Sequence, residues 1–201
     1  MWSSLRLSVV RHLGYLARFL RVRLRMASGQ ADEQRFRGWL ETHAEEALRS
    51  VGVTAGATLL DFGCGAGQFS LVAARLVGPE GRVYALDVKE NLLRALSQRA
   101  DFEGLGQLET VLAEEGAGGV ALPEASVDVV LLYDVLQLIE DQLALLRELR
   151  RVVKPGGVLS VFPMHVGGER LVELVEAVGG FDLREQEGPL FNFVATGPSS
   201  P

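Results

Sequence analysis

The sequence predicts an α/β fold with a mostly parallel sheet, and three observations carry that prediction. The first is the stretch Leu59-Leu60-Asp61-Phe62-Gly63-Cys64-Gly65-Ala66-Gly67, a short apolar strand that ends on an acid and enters three alternating glycines. Behind it, Gln68–Val77 carries apolar residues at helical spacing. The second is a repeat of that unit, a strand over Arg82–Leu86 closed by Asp87, with a helix over Lys89–Arg99. The third is an amphipathic helix over Leu138–Val152, a Lys154-Pro155-Gly156-Gly157 turn and the apolar strand Val158–Phe162. Strands that alternate with helical patterns form βαβ units.

Composition sets the outer bounds. The chain has 201 residues, 48% hydrophobic and 23% charged, which suits one α/β domain with a sizeable core. The formal charge of −6 is unevenly spread. Six arginines (Arg6, Arg11, Arg18, Arg21, Arg23, Arg25) and no acid precede Asp32, which leaves 14 basic against 26 acidic residues in the remainder. So acidic a body disfavours nucleic acid as a partner, because phosphate binding needs clustered positive charge. A single cysteine, Cys64, rules out an intrachain disulfide and a multi-cysteine metal site, and fits a reducing compartment. His12, His43 and His165 are scattered without ligand spacing, so no metal is expected.

In chain order, residues 1–27 form a basic N-terminal segment. Val9, Leu13, Leu16, Leu20 and Leu24 make a helical stripe, and Arg11, Arg18 and Arg25 lie on another face. Arginines interrupt each apolar run, so the segment is too short and too charged to span a membrane, and it makes a poor secretory signal. It suits a membrane-surface helix, a mitochondrial targeting sequence, or a helix packed on its own domain or a second subunit, and these stay open. The expected location is cytoplasmic or peripheral at a membrane, and mitochondrial in a eukaryote. The domain proper is expected over residues 28–197, with a short tail over 198–201. It starts with a helix over Asp32–Val51, whose stripe is Phe36, Trp39, Leu40, Ala44, Ala47 and Leu48.

The glycine turn then brings bare backbone close to a ligand at a helix N-terminus. A dinucleotide fingerprint, Gly-x-Gly-x-x-Gly, would need a third glycine where Gln68 stands. No Lys or Arg occurs from Leu59 to Ala74, and Asp61 would repel a pyrophosphate but suit a cationic ligand. Gly-x-Gly-x-Gly after an acid-ended strand resembles the cofactor loop of class I S-adenosylmethionine-dependent methyltransferases, in particular the small type 11-like Rossmann-fold members. The stretch "LRELRRVVKPGGVLSV" resembles the same family's late helix, turn and fifth strand. The two signals stand in the proper order, and the resemblance covers roughly Asp32 to Thr196.

That resemblance implies a Rossmann-like methyltransferase fold: a mostly parallel seven-stranded sheet, helices on both faces, and a C-terminal antiparallel hairpin. It implies S-adenosyl-L-methionine as cofactor, a small-molecule or lipid-like methyl acceptor, and a helix before the first strand that covers the cofactor cleft, where Arg35, Phe36 and Trp39 fall. The cofactor residues it implies are Asp61, Gly63, Cys64, Gly65 and Gly67 in the loop, then Asp87 and Val88 after the second strand. Asp87 is placed to accept from ribose hydroxyls, and N-capping of the next helix is compatible with that. A third strand, Leu108–Ala113, precedes Glu114 and Glu115, where relatives carry an acid for the adenine amino group. A Leu122-Pro123 turn leads to the fourth strand, which delivers Tyr133, the last of the implied cofactor residues, and Asp134 to the sheet's carboxyl edge. Relatives often have a histidine near Gln137 or Leu138, and this chain does not. His165, beyond the fifth strand, is the candidate base, with a plain surface histidine as the alternative. A helix over Glu169–Val178 and strands near Phe181–Glu185 and Leu190–Thr196 complete the expected order.

Two other functions compete. A dinucleotide oxidoreductase usually carries Tyr-x-x-x-Lys, yet Phe19, Val88 and Gln137 follow Tyr15, Tyr84 and Tyr133 at that spacing. A non-catalytic, methyltransferase-like partner protein is disfavoured by the intact loop.

Overall fold

The computed structural model describes residues 30–113 and 120–197. Two helices come first, α1 over Gln30–Thr42 and α2 over Ala44–Ser50. The sequence pattern suggested one continuous helix there. The break falls at His43, where φ is −119°, and the Thr42 hydroxyl donates back to the Gly38 and Trp39 carbonyls at 3.0 Å each. Side chains that compete for backbone groups end helices in this way.

Strand β1 (Thr58–Phe62) leads through the glycine turn to α3 (Gln68–Val77). Then come β2 (Arg82–Asp87), α4 (Glu90–Glu103), β3 (Leu108–Leu112) and β4 (Val127–Tyr133). A single 3-10 turn over Leu136–Leu138 separates β4 from α5 (Gln142–Val152). This helix starts later than its apolar spacing suggested, because the Asp141 carboxylate accepts the Ala144 amide at 2.9 Å and sets the N-cap. Leu138 is left 76% exposed. Strand β5 (Val153–Phe162) begins before the Lys-Pro-Gly-Gly turn, α6 spans Gly168–Val178, and β6 (Phe181–Glu187) and β7 (Leu190–Ala195) close the chain.

The seven strands lie in the order β3-β2-β1-β4-β5-β7-β6. The first five are parallel, and β7 runs antiparallel to both β5 and β6. Both faces of the sheet are covered, which is why β4 reads as a nearly unbroken apolar run. Leu60, Val130, Leu132 and Leu159 point to the side packed by α5 and α6. Leu59, Leu131 and Phe162 point to the side packed by helices that include α2, α3 and α4. Truncating a fully buried leucine such as Leu131 to alanine costs about 2–5 kcal/mol in such a core. Strand order reverses between β1 and β4. In open α/β sheets, that reversal leaves a crevice at the carboxyl ends of the strands.

Candidate functional site

The crevice is lined on one side by the glycine turn, and its three glycines have different reasons to be glycine. All three have positive φ: 78° at Gly63, 53° at Gly65 and 74° at Gly67. A Cβ on Gly63 would lie 2.3 Å from Val135 Cγ2, and one on Gly67 would lie 2.3 Å from Leu96 Cδ1. These two glycines make room for the protein's own packing. A Cβ on Gly65 would meet nothing within 4 Å. Bare backbone facing open space is where a ligand can approach closely.

Hydrogen bonds hold the turn rigid. The Gly63 and Cys64 amides both donate to the Leu86 carbonyl, at 2.8 and 2.9 Å. The Gly65 amide donates to Asp87 Oδ2 at 2.8 Å, and the other Asp87 oxygen accepts the Lys89 amide at 2.9 Å. Asp87 therefore joins the turn to the start of α4, and Lys89 rather than Asp87 is the N-cap residue. Val88 beside it is 41% exposed, and Leu112, paired in register with Asp87 at the end of β3, is 57% exposed. Two apolar side chains thus flank the buried carboxylate at the sheet edge. Glu114 and Glu115 lie outside the described residues.

Asp61 sits beneath the turn and not on its surface. It is 3% exposed, and its Oδ2 accepts the Ser70 hydroxyl at 2.6 Å. Burial raises its pKa to about 6, partly opposed by the Ser70 hydrogen bond, with the charge of Asp87 adding to the rise. Asp61 is therefore placed to act on a ligand through its field more than by contact. Cys64 is only partly exposed, and its thiol is pushed well above its usual range by burial first and then by Asp61 and Asp87. A thiol held protonated in this way is no nucleophile.

Tyr133 departs from the direct contact expected of it. Its hydroxyl is 2.9 Å from Ser160 Oγ, which donates in turn to Asn192 Oδ1 at 2.7 Å. This chain is buried in the core between the sheet and its helices, and burial raises the phenol's pKa. The ring meets Phe69 edge-on at 5.1 Å. What Tyr133 offers the crevice is wall and not a polar tip. His165 is exposed, with φ at 64°.

Helix α1 lies across the carboxyl edge. Phe36 stacks on Trp39 at 5.5 Å and packs on Phe162 at 5.8 Å, so both rings serve packing. Arg37 Nη1 reaches Asp134 Oδ2 at 2.6 Å, and Gln68 Nε2 donates to the Glu41 carbonyl at 2.7 Å. The sequence analysis named none of Arg37, Gln68, Ser70 and Leu112 as site residues. Ser70 alone left a trace, as a polar residue on the buried stripe of α3.

The residues present fit one cofactor type. A carboxylate buried under the loop, a second one on Asp87 and a free approach at Gly65 suit a cationic ligand with a ribose, and the guanidinium on the turn, that of Arg99, is taken up by the Ala66 carbonyl at 3.3 Å. Comparison with known proteins agrees. Residues 60–161 match the family model described as "Methyltransferase domain". The chain belongs to this methyltransferase family. Its fold and its cofactor, S-adenosylmethionine, are those of the class I members. A demethylmenaquinone methyltransferase from Geobacillus kaustophilus is 36% identical over 114 residues, which cover 57% of this chain and 48% of that protein. The chain thus spans about half the length of the curated relatives it matches. A crystal structure of an S-adenosylmethionine-dependent methyltransferase from Aquifex aeolicus superimposes with a TM-score of 0.67 at 25% identity, covering 83% of this chain and 97% of that one. The [4+2]-cyclase SpnF shares the fold with a TM-score of 0.62 at 24% identity, covering 72% and 59% of the two chains. Among the described residues no helix is long and apolar enough to cross a membrane.

Proposed function

We propose that this protein moves a methyl group from S-adenosylmethionine to a small lipid-like acceptor of the quinol type. The observation that carries the reading is the open backbone at Gly65 beside the Asp87 carboxylate, flanked by exposed Val88 and Leu112. The quinol class rests on the demethylmenaquinone methyltransferases that the chain resembles over just over half its length.

In this reading Asp87 accepts from the ribose hydroxyls while it keeps the Gly65 amide in place. Val88 and Leu112 would contact the adenine, and Glu114 or Glu115 would accept from its amino group. Asp61, ionised above about pH 6, favours the positive charge of the methionine end. Tyr133 and Cys64 complete the wall. When bound, the cofactor supplies an activated methyl group on a sulfonium. The protein's part is position: holding the acceptor in line can lower the barrier by about 7–11 kcal/mol in favourable cases. A quinol must also lose one proton for each methyl gained; exposed His165 is a weak candidate to take it, and solvent can take it in its place. The basic segment 1–26 is proposed to hold the acidic domain at an anionic membrane surface, where such an acceptor resides. Removing it should abolish co-sedimentation with anionic liposomes at low salt.

The test is turnover with cofactor labelled in the methyl group on a panel of demethylated quinols of increasing tail length. Label in the quinol supports the reading. Label only in polar metabolites sinks the acceptor class, and bound cofactor with no turnover on any acceptor leaves a non-catalytic partner protein.

A further inference from the structure

We propose that Asp134 is a positioning residue that holds Arg37, and through it helix α1, closed over the carboxyl edge of the sheet. The inference rests on the methyltransferase reading for its purpose, since a closed α1 encloses cofactor and acceptor together. The contact that carries it is the 2.6 Å ion pair between Arg37 Nη1 and Asp134 Oδ2, which joins residues 97 positions apart.

Asp134 is built for this contact. Its φ is 58°, a left-handed conformation that a non-glycine residue adopts at a cost and keeps only where its surroundings enforce it. The enforcement is visible. Its amide donates to the Phe162 carbonyl at 2.9 Å, so the bend is fixed to the end of β5. Gln137 Nε2 donates to both the Asp134 carbonyl at 3.0 Å and Oδ1 at 2.7 Å. The amide of Gln137 serves Asp134 at its own expense, because its Oε1 is buried with no hydrogen-bond partner among the described residues. With Oδ1 so engaged, Oδ2 faces α1.

The helix needs such a hold. Between residues 35 and 42, Leu40 alone is buried. The other anchors are at the rim. Phe36 packs on Phe162 and would lie 3.4 Å from a Cβ at Gly188, while the Glu41 carbonyl accepts from Gln68, the residue after Gly67. Arg37 also holds itself in place, donating from Nε to Glu41 Oε1 at 3.2 Å. The side chains of Arg37 and Asp134 are 47% and 26% exposed. An ion pair that exposed biases an equilibrium by no more than about five-fold. That is the strength of a latch that opens on each turnover and not of a permanent staple. Segments with few buried contacts are the ones that open locally.

The test uses the full chain carrying Trp2→Phe, which leaves Trp39 on α1 as the sole tryptophan. Two readouts are taken: amide exchange of residues 35–42 without ligand, and S-adenosylhomocysteine release followed by Trp39 fluorescence. Asp134→Asn keeps the shape and removes the charge. It should speed both exchange and release by up to about five-fold, with exchange of β1 and β4 unchanged. Arg37→Gln should do the same, Arg37→Lys should largely preserve the hold, and the double variant should be no worse than either single. Additive effects in the double variant, or unchanged exchange in α1, would overturn the proposal. If exchange rises as expected but S-adenosylhomocysteine does not bind the parent protein, the latch stands and the cofactor reading fails.

Discussion

The two halves of the carboxyl edge are built in different ways. At the ends of β1, β2 and β3 the working groups are neighbours in sequence as well as in space: Gly63, Gly65 and Gly67 follow β1 directly, and Asp87 and Val88 end β2. One backbone carbonyl and one carboxylate on β2 take the Gly63, Cys64 and Gly65 amides of the glycine turn. At the ends of β4 and β5 the contacts come from afar, with Arg37 on Asp134, Phe36 on Phe162, and Tyr133 tied to Asn192 through Ser160. The lesson concerns division of labour. A fixed cofactor can be met by a short local motif, whereas an acceptor meets surfaces that only the finished fold assembles. The fold neighbour that is a cyclase underlines that a shared scaffold does not dictate the second half.

The sharpest way to break this comparison is at the glycines. Gly65→Val should abolish cofactor binding, by more than about 100-fold, through a side chain that fills the open space and a β-branched residue strained at φ 53°, with the packing of the core untouched. Gly67→Ala should do the reverse. Its Cβ runs into Leu96, and forced overpacking of this kind costs about 1–3 kcal/mol, seen as a lower melting temperature. Paired titration and melting curves on the two variants would separate ligand space from packing space.

Asp87→Ala comes next. Loss of charge-assisted hydroxyl contacts, each worth about 1.5–3 kcal/mol, should weaken S-adenosylmethionine by at least about ten-fold and loosen the Gly65 amide. Unaltered affinity in a folded variant would remove the ribose assignment.

Asp61 provides a pH test. Its pKa in the folded protein, about 6, stands above the 3.8 of a free aspartate, so the fold prefers the protonated acid. The stability this group contributes is complete below about pH 4 and is lost as pH rises to about 6, a loss of roughly 3 kcal/mol at most. Asp61→Asn should therefore stabilise the ligand-free protein above pH 6. Cofactor affinity should move in the opposite sense. In the parent it should fall as pH drops through about 6, and in Asp61→Asn it should be weaker and flat across that range. Calorimetry at pH 5 and pH 7.5 reads both.

The smallest effect is expected at His165. A well-held general base contributes about 10²–10⁴-fold in rate. His165 is exposed in a loop, so His165→Ala should cost less than about ten-fold, measured as kcat on the quinol panel. A larger loss would make the acceptor half as tightly built as the cofactor half.

How much of this was legible in the sequence follows the same divide. The succession of strands and helices and the glycine turn were readable, because apolar period and glycine spacing are local signals, whereas the seven-stranded sheet with its terminal hairpin came with the family resemblance. Helix ends were less so, as side chains at Thr42 and Asp141 reset them against the apolar stripe. Arg37 was invisible as a site residue. It sits in a charged stretch, and nothing local to that stretch points to a partner on β4. Tyr133 was misleading for a related reason: its position at the strand end was read correctly, but the direction of its hydroxyl depends on Ser160 and Asn192.

The central claim is that the turn at Gly65, with Asp87, holds S-adenosylmethionine. Calorimetric titration of the full chain at pH 7.5 with S-adenosylmethionine and, separately, with NAD tests it most directly, on the parent and on Gly65→Val. One site for S-adenosylmethionine, none for NAD, and loss of the site in a variant that remains folded are expected. Binding of NAD, or undiminished binding of S-adenosylmethionine by Gly65→Val, would contradict it.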